Sequence, residues 1–361
     1  MSRDRKAAIW VVCIVTFGLI IYFLSSILLP FVVGMAIAYF LDPVANRLEA
    51  KGLSRWFSSS FILLAFFVSA IFLLFLLIPL LQSQIVEFVG IIPAIIKAGQ
   101  AQVQPYLEQL RANLEPDTME NLPEAAAIYA GKIVNWLTRI LAGIWNGGVA
   151  IFNVISLIII SPIVAFYMLH DWDVIKAKVD SWLPRESAPT IREQLSTIDA
   201  TISGFVRGQS TVCLVLGALY GISLSVIGLK SGLMVGVCAG LISFVPYLGA
   251  ATGMIVGLGI AIVQFPEWSM IAIVGSVFLV GQTLESYVLT PRLVGTRVGL
   301  HPLWIIFALL VGGALMDFTG VLIAVPAAAV IGVLIRFGLA RYMASELYSG
   351  TKNGVVKDNS A

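Results

Sequence analysis

The chain has 361 residues, 59% hydrophobic and only 12% charged, about half the charge of an ordinary soluble domain. Its mean hydropathy is +0.97, and several apolar runs exceed the ~20 residues that span a hydrocarbon core. That excludes a soluble globular domain and predicts an all-α polytopic membrane protein, while a net charge of +2 is too small to point to nucleic acid as a partner.

The N-terminus, MSRDRKAAIWVVCIVTFGLIIYFLSS, places basic residues before an apolar run, as a signal peptide does. The run is too long for one and no small-x-small site follows, so it reads as a retained first span. Residues 7–41 are interrupted by Ser25, Ser26 and Pro30, which predicts a long helix followed by a shorter returning one. Asp42 before Pro43 reads as a helix end, and the stretch that follows, with Arg47, Lys51 and Arg55, is polar and basic. Residues 57–81 make a full span, completing an N-terminal membrane region over 1–81.

From 82 to 145 the pattern becomes amphipathic, with Glu87, Lys97, Glu108 and Arg111 among apolar residues at helical spacing and several prolines as punctuation. This predicts helices on the membrane surface or a small extracytoplasmic domain. A span over 146–170 follows, ending in HDWD. His170, Asp171 and Asp173 have no second ligand cluster nearby, so they read as helix termination rather than a metal site. Residues 171–207 read as a cytoplasmic helical linker, 208–340 as a core with two helical hairpins, and 341–361 as a cytoplasmic tail.

Within the core, the apolar run 233–263 contains no charge but carries FVPYLGAATG at its middle. As one helix it would be roughly 47 Å long, whereas two full crossings need about 40 residues and a turn. A hairpin that dips into the membrane and returns fits better, its tip at SFVPYLG around Pro246, Tyr247 and Gly249. Pro246 lacks the N–H that a helix requires, and Gly249 permits the turn. Non-helical backbone at that depth survives only where protein or a water-filled cavity surrounds it, as at the broken helices of transporters. The run 303–335 repeats the design, with GGALMDFTG at its centre and Asp317 at the tip. The expected architecture is therefore about five full spans and three interrupted or re-entrant hairpins, with an inverted repeat in the C-terminal half.

Charge sets the orientation. With the N-terminus inside and each interrupted run returning to its own side, only Lys97, Arg111, Lys132, Arg139 and Lys230 of the 22 Lys and Arg lie outside. The positive-inside rule then predicts a multi-pass protein with cytoplasmic N- and C-termini.

Polar residues in the apolar part are few. Glu285, with Gln282 one turn before it, is a candidate substrate or ion site, because a membrane carboxylate is functional by default; the competing reading is an interfacial Glu paired with Arg292. Asp317 either binds a cation or proton or is a turn residue capping a short helix. Arg207 and Gln209 open a span from the inner side, Arg207 as an interfacial anchor or as a substrate contact. Cys13, Cys213 and Cys238 lack metal-site spacing and read as small buried hydrophobes. No GxxxxGK[ST] loop supports ATP-driven transport, and His170 and His301 alone cannot supply a catalytic set. No cofactor and no enzymatic activity are expected.

These stretches together resemble the autoinducer-2 exporter-like transporter family, the PerM-type permeases. The resemblance covers nearly the whole chain and is carried by AYFLDPV, SPIVAFYMLHD, FVPYLGAATG, LESYVLTPRLVG, GLHPL and a GG…G…AVP pattern. Pro291, Gly295, Pro302, Gly312, Gly313 and Pro326 are its motif positions outside the hairpin tip. The resemblance implies a secondary carrier of the inner membrane, assembled as a homo-oligomer, with either autoinducer-2 export or sodium/proton antiport as its activity. The chain departs from the pattern at His170, where Lys is frequent, and at Asp317, where Gly is. Two readings follow: a transporter exporting a small polar metabolite by alternating access, or a sodium (or potassium)/proton antiporter. A third, a membrane scaffold binding a partner through 82–145, leaves the broken hairpins unexplained.

Overall fold

The computed structural model describes residues 24–73, 148–294 and 299–345, together with a few single positions outside these stretches. The expected first span, nearly all of residues 82–145, Gly295 and nearly all of the tail after 345 lie outside the described residues. Among those described, all regular structure is helical, and six helices are long and apolar enough to cross a membrane.

In chain order these elements are α1 (Ser25–Glu49), α2 (Arg55–Leu77), α3 (Gly148–Trp182), α4 (Ala188–Val226), α5 (Gly232–Ile242), α6 (Leu248–Gln264), α7 (Trp268–Leu284), a π-helical segment (Glu285–Val294) and α8 (Pro302–Met343). The chain divides into two compact units. One comprises residues 1–28, 171–207 and 294–361; the other comprises 29–170 and 208–293.

Two expected helix ends are corrected. α1 does not stop at Asp42–Pro43 but runs through both to Glu49. Arg55 explains why its polar last turns hold. Its guanidinium donates to Asp42 Oδ1 at 3.3 Å, to Glu49 Oε2 at 3.0 Å and to the Asn46 side chain. Its Nε donates to the Leu169 carbonyl at 2.7 Å. One planar fork thus satisfies three side chains of α1 and a carbonyl of α3, a task for which arginine's fixed donor geometry is suited.

Likewise α3 does not terminate at HDWD but continues to Trp182. His170 stacks on Phe166, with ring centroids 5.6 Å apart. Lys176 pairs with Asp173 one turn away at 3.1 Å, a spacing that supports helix in water. A helix that leaves the apolar zone has no reason to unwind when its polar residues find partners.

In the second unit, α1, α2 and α3 share an apolar core of Ala38, Leu41, Ala45, Ile62, Leu63, Ala165 and Leu169. Gly34 lets α1 and α3 approach closely, since a Cβ there would stand 2.7 Å from Val164 Cβ. Beside that contact Ser161 Oγ donates to the Pro30 carbonyl at 3.0 Å.

The same unit holds α4 from residue 208 onward, α5, α6 and α7. α4 and α5 pack through glycines spaced four apart. A Cβ on Gly236 would lie 2.1 Å from the Gly221 nitrogen, and one on Gly240 would lie 2.2 Å from Gly217 Cα. Small residues at this spacing let helix backbones touch, which is how helices gain contact where lipid offers no hydrophobic drive. Cys213 is buried on this face, but Cys238 is exposed, correcting its reading as a buried hydrophobe: on α5 the glycines occupy the packed face, and Cys238 lies off it.

α5 and α6 pack against each other as a helical hairpin. At 11 and 17 residues they are roughly 16 and 25 Å long, so neither matches the ~30 Å hydrocarbon core. In the other unit α8 is also a hairpin. Met316 (φ −141°, ψ 22°) and Asp317 (φ 49°, ψ −134°) leave helical geometry. Gly312 meets Gly320 and Ala324 across the reversal, while Gly313 meets Val321. Residues eight apart lie ~12 Å apart along a straight helix, so these contacts require the chain to double back. Pro302 begins the first arm, where a missing N–H costs nothing, and His301 accepts there from the Leu303 N–H. Pro326 lies in the returning arm.

Candidate functional site

The second unit gathers buried polar groups around the α5–α6 hairpin. Its tip, from Ser243 to Tyr247, breaks where Pro246 interrupts hydrogen bonding and Tyr247 takes φ 69°. Gly249 then presses the start of α6 onto the end of α5; a Cβ there would come within 1.9 Å of Ser243 Oγ and 2.4 Å of the Ala239 carbonyl. Only glycine fits so close an approach.

Gln209 on α4, 2% exposed, reaches this tip and donates from Nε2 to the Ser243 carbonyl. That bond satisfies a carbonyl freed where α5 ends. At the other end of the hairpin, Gln264 accepts from the Lys230 N–H and donates to the Gly228 carbonyl, both at 2.7 Å. Gln84 performs a related task at the first turn of α5, accepting from the Met234 N–H at 2.9 Å.

Between α4, α6 and α7 lies an aromatic pair, Tyr220 and Phe278, with ring centroids 4.9 Å apart. Both are essentially inaccessible. Phe278 fills the groove left by Gly253 and Gly257, and the Tyr220 ring lies on Gly281. One turn beyond Gly281 stands Glu285, 4% exposed. There α7 gives way to the π-helical segment, and the Glu285 N–H is shared between the Gln282 and Gly281 carbonyls. Such wide turns are rare and recur at functional sites. Glu285 Oε2 and Tyr220 Oη have no hydrogen-bond partner among the described residues.

The sequence candidates separate accordingly. Gln209, Pro246, Tyr247, Gly249 and Glu285 fall in one unit, and Gln209 joins the hairpin tip directly. Gln282 Nε2 donates to Ser286 Oγ at 3.1 Å. Glu285 is not the interfacial partner of Arg292, for it is buried whereas Arg292 is exposed. In the other unit Asp317 is exposed at the α8 reversal. Arg207 donates to the Ser203 carbonyl at 3.1 Å and to Ser203 Oγ at 2.9 Å. Pro291 lies inside the π-helical segment. No group of three or more potential metal ligands occurs among the described residues. Tyr220, Ser243 and Gln264 escaped the sequence reading. The available signal for Tyr220 was its place between Gly217 and Gly221 in the apolar second half of α4.

Spanning helices around a short hairpin, with buried polar groups gathered beside it, define an all-helical multi-pass membrane protein. The description "AI-2E family transporter" matches residues 11–340, and the chain belongs to that family. It is 30% identical to the Bacillus subtilis protein named "Putative transport protein YrrI" over 86% of each chain. It is 26% identical to the Escherichia coli K12 protein named "Putative permease PerM", over 93% of this chain and 94% of that one. A Synechocystis protein, "Putative transport protein sll0063", is 26% identical over 86% of this chain and 77% of its own length. The protein is thus a membrane transporter, as the resemblance in its motifs implied.

Proposed function

We propose that the chain is a secondary transporter that exports a small polar metabolite, of the autoinducer-2 kind, across the inner membrane by alternating access. Glu285 is the group that holds the solute, and the tip of the α5–α6 hairpin, tied down by Gln209, closes over it. The observation that carries this reading is the Glu285 carboxyl, buried in the bundle with one oxygen unpartnered. Buried polar atoms are nearly always satisfied, and an acidic side chain inside a membrane is costly enough to be kept for function.

In this reading α5–α6 and α8 are re-entrant hairpins entering from opposite sides as an inverted repeat, and both termini are cytoplasmic. The extracytoplasmic amphipathic region 82–145 and the first spans form the scaffold of a homo-oligomer. The length of α5, short of a full crossing, and the reversal at Asp317 support the hairpins.

Proteoliposomes loaded with labelled autoinducer-2 test the proposal, with internal pH followed under imposed sodium or potassium gradients. Wild-type protein should release label, and Glu285→Gln should slow release at least about tenfold, the scale of one charge-assisted hydrogen bond. Normal release by Glu285→Gln would remove the site assignment. A cation-driven proton flux in the absence of solute would replace export by antiport.

A further inference from the structure

We propose that the Tyr220 hydroxyl is a second solute-binding group of the Glu285 site. The assignment rests on the transporter reading of Glu285 above, and the geometry for it is local. A helical side chain leans toward the N-terminus of its helix, over the residue four positions earlier. For Glu285 that residue is Gly281, which has no side chain to occupy the space. The Tyr220 ring takes it instead, so close that a Cβ on Gly281 would stand 2.4 Å from the phenolic oxygen. The phenolic oxygen therefore sits on α7 one helical turn before Glu285.

Packing fixes the ring independently of its hydroxyl. The ring packs against Phe278 and Gly281, one turn apart on α7, and Tyr220 is wholly inaccessible. A buried tyrosine ordinarily finds a partner for its O–H, yet this one has none among the described residues. The structure thus holds two unpartnered oxygens on adjoining elements, one an acceptor and the other able to donate or accept. A solute that donates to Glu285 and exchanges a second hydrogen bond with Tyr220 satisfies both. A phenylalanine would fill the same space, so packing alone does not account for the tyrosine.

Tyr220→Phe, Glu285→Gln and the double variant, in the same proteoliposomes with labelled autoinducer-2 as the probe, test this. Thermal midpoints are measured in detergent alongside. Tyr220→Phe should raise KM about five- to tenfold and leave the midpoint unchanged or raised by about 2 °C, because it removes a buried unsatisfied hydroxyl and keeps the ring. The double variant should be little worse than Glu285→Gln alone, since both groups serve one solute. An unchanged KM in Tyr220→Phe beside an impaired Glu285→Gln would overturn this assignment and leave the transporter reading standing. A lowered midpoint would show the hydroxyl to be structural and likewise overturn it. Normal transport by both variants would remove both readings, and a wild type that moves no probe would remove the autoinducer-2 reading and this assignment with it.

Discussion

The α5–α6 hairpin and the α8 hairpin, in different units of the molecule, turn by similar means and are braced by different ones. Each reverses through a non-glycine residue at positive φ, Tyr247 at 69° and Asp317 at 49°. The first is then held by side chains from neighbouring segments: Gln209 at its tip and Gln84 at the start of α5. The second is braced by itself, glycine against glycine at Gly312 and Gly320, with Asp317 exposed. Strained backbone persists only where surroundings over-determine it. The comparison teaches that one reversal is fixed by polar bonds within a bundle that also buries Glu285, and the other by close packing of its own arms.

The largest effect comes from striking the glycine face beneath the first hairpin. Gly236→Leu, which would drive side-chain atoms into the Gly221 backbone, should cost more than about 3 kcal/mol and abolish a monodisperse size-exclusion peak. Gly275→Ala, whose Cβ meets only Leu258 at 3.6 Å, should leave the peak intact. Next comes Gly320→Ala, whose Cβ would stand 1.9 Å from the Gly312 carbonyl oxygen. It should splay the α8 arms at a cost of about 1–3 kcal/mol, read as faster hydrogen exchange near residue 317 without change near 245.

Gln209→Leu should have the opposite footprint. It leaves the Ser243 carbonyl buried and unpaired, about 1–3 kcal/mol, and hydrogen exchange should rise across 243–249 while 316–318 is unaffected. Equal changes at both tips would dissolve the distinction between the hairpins. The smallest effect is a gain. At φ 49°, ψ −134° glycine is at ease and aspartate is not, so Asp317→Gly should raise the thermal midpoint by the equivalent of about 1 kcal/mol. A fall would mean that the Asp317 carboxylate has a partner worth more than the strain.

How much of this was written in the chain differs by element. Pro246 and Gly249 announced the first reversal because a missing N–H and a missing Cβ act locally, and the structure turns there. Asp317 was placed at the second tip from the surrounding glycines, again a local signal. The helix ends at Asp42 and HDWD were misread because charge marks where a helix leaves the bilayer, not where it stops. Arg55, which lets α1 continue, acts from outside that helix. Tyr220 was invisible for a similar reason: its meaning depends on Gly281, 61 positions away, and on the carboxyl one turn further. The four-residue rhythm of Gly217 and Gly221 against Gly232, Gly236 and Gly240 was legible, but not that the two sets face each other.

The π-helical segment after Glu285 adds a mechanical consequence. Relative to an α-helix it stores surplus residues within its turns. Converting one wide turn to α geometry would pass a residue along the axis, rotating everything beyond it by about 100°. Pro291 and Arg292 would swing around the axis while 268–284 stayed in register against its neighbours. Such a conversion would turn the last turns of this span like a screw, beginning at the residue that carries the buried carboxyl.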